Sequence, residues 1–194
     1  MRATVKIQKA ELAARPDNTL YKSVILHVAA WALFVPLRSA MLIHSKQIEV
    51  FAAYHQFYLW DSAMNPMAPE SYNEADTERR IKTGPHIVVI HPERDALVPV
   101  AVEIHDSEPG LCADEWDHIA EASLALPSGN LQVHECTGGV VADFKVAAGW
   151  YRVRSMHGGF DTVADVGIDG NDYYKVVLWP ADPADIVVIK QCAI

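Results

Sequence analysis

The stretch Gln47–Asp61, QIEVFAAYHQFYLWD, is the longest run of strand-forming residues in the chain. Side chains alternate between the two faces of a strand, and here both faces are mostly apolar. Such a strand needs cover on two sides, and a run of roughly thirteen residues exceeds the usual strand of five or six. The small pair Ala52–Ala53 leaves room for a bend. The stretch therefore predicts a central strand, Ile48–Trp60, that bends at this pair and serves both layers of a β-sandwich.

The rest of the chain favours short strands separated by turn signals. The segment Tyr72–Lys82, YNEADTERRIK, is an exception: its acidic residues precede its basic ones, which favours a short surface helix. Propensity alone makes Glu115–Leu126 a helix, but the hairpin turn Pro127–Asn130 that follows it favours a strand. We therefore predict an all-β fold, an antiparallel β-sandwich of about eight or nine strands with one short surface helix. The predicted strands after the first are His86–His91, Leu97–His105, Glu115–Leu126, Leu131–Cys136, residues 141–146, Trp150–Met156, Tyr173–Trp179 and Ile186–Lys190.

The first forty residues differ from the rest. Their apolar core, Val24–Leu37, is about fourteen positions long, whereas a helix needs about twenty to span a bilayer. The residues before Ala40 also make a poor signal-peptide cleavage site. Two interpretations stay open: a helix added to the domain, or an extension upstream of a fold that starts at Met41. We favour the second, with residues 1–40 as an extension and 41–194 as a single β-sandwich domain, so a chain that begins at Met41 should keep its stability.

Charge is distributed unevenly along the chain. The net charge is −9, but residues 41–194 carry ten Lys and Arg against 23 Asp and Glu, a difference of −13. A surface of this sign repels phosphate backbones, so it argues against direct nucleic-acid binding and favours a basic protein partner. The three cysteines lie far apart without metal-site spacing, which is typical of reduced thiols and predicts a cytoplasmic location.

No motif in the chain indicates catalysis, a metal site or a cofactor. The histidines show no i,i+2 or i,i+4 pairing of the kind that metal ligands need, and no nucleophile elbow is present. Residues 165–172 lack the alternate carboxylates and final glutamate of a calcium loop, and are better described as a turn rich in Asp and Gly. His55 lies among apolar neighbours, which predicts a core or half-buried imidazole with a structural hydrogen bond.

The residues Ala53–Tyr58, AYHQFY, lie in a strand near the start of the domain and are followed by a turn at Asp61. They resemble the SYHQF strand of the competence protein J family, the DNA-entry nuclease inhibitors, and the order of later elements is similar over Ile48–Lys190. The specific local match is Tyr54, His55, Gln56 and Phe57. The resemblance implies a small, acidic bacterial protein that is not an enzyme and that blocks a nuclease by binding to it.

The acidic domain is consistent with such an inhibitor, because carboxylates can occupy the basic groove that a nuclease uses for DNA. The alternatives are a structural or ligand-binding sandwich module and, less favoured, a small-molecule enzyme. The predicted partner-binding residues form two groups, which would make one negative patch if both lay at the same end of the sandwich. They are Glu70, Glu74, Asp76 and Glu78 in the first loop, and Asp106, Glu108, Asp114, Glu115 and Asp117 in the second.

Overall fold

The computed structural model describes residues 39–165 and 167–192, which form eleven strands and one α-helix. The predictions for residues 1–38 lie outside the described residues and stay predictions. Within those two ranges, no helix is long and apolar enough to cross a membrane. The elements are β1 (Leu42–Phe51), β2 (Phe57–Asp61), α1 (Glu74–Arg79), β3 (Ile81–Gly84), β4 (Ile87–Ile90), β5 (Leu97–His105), β6 (His118–Leu126), β7 (Asn130–Glu135), β8 (Gly139–Lys145), β9 (Gly149–Gly158), β10 (Tyr173–Pro180) and β11 (Val187–Lys190).

The strands form two sheets packed face to face. Sheet A has six strands in the order β1-β5-β10-β9-β6-β11, and sheet B has five in the order β3-β4-β2-β7-β8. All neighbouring strands are antiparallel except β5 and β10, which run parallel. The predicted all-β sandwich is confirmed. It has eleven strands rather than eight or nine because the long first stretch divides in two and because β3 was not predicted.

The predicted bend of the long first stretch is confirmed, and it divides the stretch between the sheets. A 3-10 turn at Ala53–His55 ends β1 in sheet A and starts β2 in sheet B. Ala52 and Ala53, whose small side chains predicted the bend, are buried at this turn. The prediction of one central strand is wrong for its first half, since β1 is an edge strand, and right for its second half, since β2 is the middle strand of its sheet.

The main core lies between the sheets, and a smaller apolar layer covers the outside of each. Phe57 and Leu59 of β2 point into the main core, whereas Tyr58 packs on the outer face of sheet B. Ala68, in the connection after β2, packs over that outer face. The two apolar faces of β2 therefore have cover on both sides, which is what its sequence requires.

The predicted helix is present but short, and the strand after it was missed. Asn73 and Asp76 form a capping box at the start of α1, and Arg80 ends the helix in the left-handed conformation. The chain then enters β3, an edge strand of sheet B. Of its four residues only Ile81 is buried, because an edge strand needs few apolar side chains. A polar strand of this kind cannot be distinguished from a loop by alternation.

Candidate functional site

Strand register gathers several connections at one end of the sandwich. Tyr173 pairs with Gly158, His118 with His157, and Phe57 with Ile90. Hence β5, β6 and β10 begin where β9 and β4 finish, beside the turn between β1 and β2. We call this end the acidic end; its loops are residues 52–56, 91–96, 113–117 and 159–172, together with the end of α1 and residues 190–192.

The turn Ala53–His55 carries Tyr54 and His55, two of the four residues that match the competence protein J family (the family-motif residues Tyr54 to Phe57). We call it the motif turn, and it projects into solvent at the acidic end. Tyr54 and His55 have φ values of 58° and 56°, in the left-handed region that disfavours most residues other than glycine. His55 Nδ1 donates to the Glu93 carbonyl oxygen at 3.0 Å, and the Tyr54 amide donates to Asp95 Oδ2 at 3.2 Å. The prediction that His55 is hydrogen-bonded to backbone is confirmed, but the prediction of a core or half-buried position is wrong, because His55 is exposed.

The other two family-motif residues have mainly structural contacts. Phe57 is fully buried in the main core. Gln56 is half-buried; its Oε1 accepts a hydrogen bond from the Tyr72 hydroxyl at 2.9 Å, and its Nε2 donates to Cys136 Sγ at 3.5 Å. These contacts connect the turn to the loop before α1.

Two recesses open at the acidic end and share the ion pair between Arg80 and Glu93. The guanidinium and carboxylate are 2.5 Å apart, and Arg80 also lies over the Phe160 ring at 4.5 Å. One recess, of about 600 Å³, is lined by the motif turn, Tyr72 and residues 91–93. The other, of about 580 Å³, is lined by Phe160, residues 190–192 and the carboxylates of Asp117 and Asp161.

A buried ion pair fixes the loops around these recesses. Asp172 is fully buried, and its carboxylate accepts hydrogen bonds from Arg94 Nε and from the Tyr174 hydroxyl. The Arg94 side chain also donates to the Ile168 carbonyl oxygen at 3.2 Å, and Tyr174 accepts a hydrogen bond from the Glu93 amide at 2.8 Å. The loops 91–96 and 159–172 are thereby joined through one buried carboxylate.

His118 and His157 are buried beneath the recesses, and the half-buried His91 lines one of them. His118 and His157, which are cross-strand partners, have ring centroids 5.4 Å apart. Burial lowers the pKa of His91, of His118 and, most strongly, of His157, and the Arg80 charge adds to the effect at each. His118 Nε2 donates to the Arg79 carbonyl oxygen at 2.9 Å. Because His118 and His157 are sealed from solvent, their ring nitrogens cannot reach a substrate.

Exposed carboxylates surround the recesses. Four of the predicted partner-binding residues lie here: Glu78, Asp114 and Glu115 are exposed, and Asp117 is half-buried with its Oδ2 accepting from the Phe160 amide at 3.0 Å. Sequence reasoning missed four exposed carboxylates at the same end, because they fall in loops that were read only as turns. They are Asp95, Asp161, Asp165 and Asp169.

The other predicted partner-binding residues lie elsewhere, so the two predicted loops do not form one patch. Asp106 follows the far end of β5, where its Oδ1 accepts from the Met41 amide at 2.7 Å. Glu108 is 2.8 Å from Arg154 of β9, in a loop that crosses the outer face of sheet A. Glu70 and Glu74 are exposed before and within the first turn of α1.

Asp76, which was also predicted as a partner-binding residue, is buried. Its carboxylate closes the capping box of α1 and forms ion pairs of 2.6 Å with both Arg79 and Lys82. Burial alone would raise the pKa of Asp76, but hydrogen bonds from Lys82, the Asn73 backbone and Arg79 outweigh burial and lower it. The contacts that the structure gives Asp76 are therefore contacts within the fold.

The described residues contain no group of three or more His, Cys, Asp or Glu side chains arranged to hold a metal ion. Cys112, Cys136 and Cys192 are free thiols in the structure. The acidic end is therefore an aromatic, carboxylate-rich surface on which Arg80 and Arg94 are each already paired with a carboxylate.

The comparisons with known proteins show that this chain is similar to solved structures in its fold. No protein-family model matches the chain, and the curated proteins contain no significant match. Among solved structures, the chain is similar to ComJ from Bacillus subtilis, an inhibitor of the DNA-degrading activity of NucA, with a TM-score of 0.55 and 11% sequence identity over 73% of this chain and 98% of ComJ. A second structure, crocagin biosynthetic gene J, gives a TM-score of 0.47 and 18% identity over 72% of this chain and 100% of the other. The chain thus has a ComJ-like fold.

Proposed function

We propose that this protein is a nuclease inhibitor that binds a basic nuclease through the acidic end of its sandwich. The observation that carries the proposal is the concentration of eight exposed or half-exposed carboxylates around two recesses, on a fold similar to that of an inhibitor of a DNA-degrading enzyme. They are Glu78, Asp95, Asp114, Glu115, Asp117, Asp161, Asp165 and Asp169.

The charges at the acidic end support this surface as the binding surface. Arg80 is paired with Glu93, and Arg94 is paired with the buried Asp172, so neither guanidinium is free to offset the surrounding carboxylates. Lys190 also lies here, and its ammonium donates to the Ala113 carbonyl oxygen at 3.2 Å. A nuclease contacts the DNA phosphates through a groove that carries basic residues, and an acidic surface can occupy that groove in place of the phosphates.

The test is inhibition of DNA degradation by purified NucA over a range of inhibitor concentrations and at two salt concentrations. We expect inhibition that weakens as salt rises, because exposed charges are screened over about 10 Å at 0.1 M salt. The triple variant Asp161→Lys, Asp165→Lys and Asp169→Lys should raise the inhibitor concentration needed by at least about tenfold, since it reverses the charge of one side of the acidic end.

A matched control variant distinguishes the effect of where the reversed charges lie from the effect of the change in total charge. The triple variant Glu49→Lys, Asp182→Lys and Asp185→Lys changes the net charge by the same amount at exposed positions outside the acidic end. We expect this control to inhibit within about threefold of the wild type, because only long-range attraction changes. Equal losses in the two triple variants, or no inhibition by the wild type, would contradict the proposal.

A further inference from the structure

The motif turn holds Tyr54 in a backbone conformation that is energetically unfavourable for a tyrosine. Its backbone lies at φ 58° and ψ 31°, and the following residue, His55, is also left-handed. The left-handed region is costly for residues with a Cβ atom, and such strain is typical of functional sites. The Tyr54 side chain gives little burial in return, because it is 71% exposed. Glycine would therefore satisfy the fold at this position better than tyrosine does.

Hydrogen bonds to the neighbouring loop, residues 91–96, nevertheless hold the motif turn in place. The Tyr54 amide donates to Asp95 Oδ2, His55 Nδ1 donates to the Glu93 carbonyl oxygen, and His91 Nδ1 donates at 3.2 Å to the His55 carbonyl oxygen. The Asp95 amide in turn donates to the Gly167 carbonyl oxygen at 3.2 Å. An exposed aromatic ring on a backbone fixed in this way is preorganised for binding, because little conformational entropy remains to be lost.

The surroundings of the ring indicate which chemical group it meets. Tyr54 and Tyr72 both line the recess of about 600 Å³, and Tyr72 is 37% exposed and packs edge-on against the His91 ring. Glu93 lines this recess but is paired with Arg80, and the Lys82 ammonium already lies 5.0 Å from the centroid of the Tyr72 ring. The Asp95 carboxylate lies beside Tyr54, where it accepts a hydrogen bond from the Tyr54 amide, and the exposed Tyr54 ring is therefore the face available to a further cation. Aromatic faces beside carboxylates favour a cation, which gains both cation–π attraction and charge pairing.

Resting on the proposed function, we propose that Tyr54 is the anchor of the interface. An arginine or lysine side chain of the basic partner enters the recess between Tyr54 and Tyr72 and lies over the Tyr54 ring, with its charge beside Asp95. Tyrosine and arginine are the residues that most often dominate binding energy at protein interfaces. The strained turn thus presents a specific anchor within a surface whose carboxylates supply general attraction.

The test measures the affinity of purified NucA and the melting temperature for the wild type and three variants. Tyr54→Phe keeps the ring and should bind within about threefold of the wild type. Tyr54→Leu keeps apolar bulk but has no aromatic face, and it should weaken binding by at least about 30-fold, the size of an interface hot spot. Tyr54→Gly should lose the same affinity while its melting temperature equals or exceeds that of the wild type.

The outcomes separate this inference from the proposed function. If the wild type does not bind NucA, the proposed function fails and the anchor fails with it. If the wild type binds and Tyr54→Leu binds equally well, the anchor alone is wrong. If Tyr54→Gly lowers the melting temperature by more than about 4 °C, roughly 1 kcal/mol or more for a domain of this size, the tyrosine serves the fold instead.

Discussion

Removal of the Arg94 charge should destabilise the domain strongly, because Arg94 neutralises a fully buried carboxylate. The side chain of Asp172 is 0% exposed and that of Arg94 is 10% exposed. In Arg94→Met, Asp172 keeps only the Tyr174 hydroxyl as a hydrogen-bond donor among the side chains described around it. Breaking a buried ion pair from one side costs about 3–5 kcal/mol, since a charge is left uncompensated. At about 2–4 °C per kcal/mol, the melting temperature should fall by roughly 6–20 °C.

Urea unfolding of the purified variant measures this loss as a shift in midpoint at unchanged slope. The matched control is Lys175→Met, which breaks the partly exposed pair with Glu103 and should cost less than about 1 kcal/mol. In an Asp172→Asn background the Arg94→Met loss should shrink, because no buried charge remains unpaired. A loss below about 1 kcal/mol for Arg94→Met, or equal losses in Arg94→Met and Lys175→Met, would refute the reasoning.

Two further predictions concern stability. Burial lowers the pKa values of His91, His118 and His157 in the folded chain. Below a pH of about 6.5 the unfolded chain therefore binds protons that the folded chain does not. As a result, the contribution of these histidines to the free energy of unfolding falls as the pH falls below about 6.5 and is constant above that pH. Each histidine contributes up to about 1.4 kcal/mol per pH unit, and urea unfolding that is unchanged between pH 7.5 and about pH 5 would contradict this. Gly129→Ala should cost about 1–3 kcal/mol in thermal melts, because φ is +70° and the added Cβ would lie 2.3 Å from a backbone oxygen. Gly110→Ala, with open space around it, should melt like the wild type.

The strand content of the fold could be predicted from apolar alternation, but the backbone conformation of the residues at the bend could not. The small Ala52 and Ala53 indicated a bend, because only size was needed. The left-handed backbone of Tyr54 and His55 gave no signal, since neither is a residue that usually adopts it. Alternation therefore placed His55 on an apolar strand face, whereas the turn exposes it.

The candidate site depended on pairings between distant segments, which a single sequence does not reveal. Local spacing showed no relation between His118 and His157, yet antiparallel pairing of β6 with β9 makes them neighbours. Likewise Arg94 and Asp172 lie in loops that are far apart in the sequence, and their burial follows from the meeting of those two loops. The carboxylates in 159–172 were passed over for the same reason, because charge along the sequence does not say which loops share an end.

Association kinetics with purified NucA tests the central claim most directly. The association rate constant is measured by stopped flow across a series of salt concentrations for the wild type and for the two triple Lys variants described above. We predict a rate for the wild type that falls steeply with salt, a much lower and flatter rate for the Asp161, Asp165 and Asp169 variant, and a rate near the wild type for the Glu49, Asp182 and Asp185 variant. Equal rates and equal salt dependence in the two triple variants would contradict the account, because binding would then not depend on the acidic end.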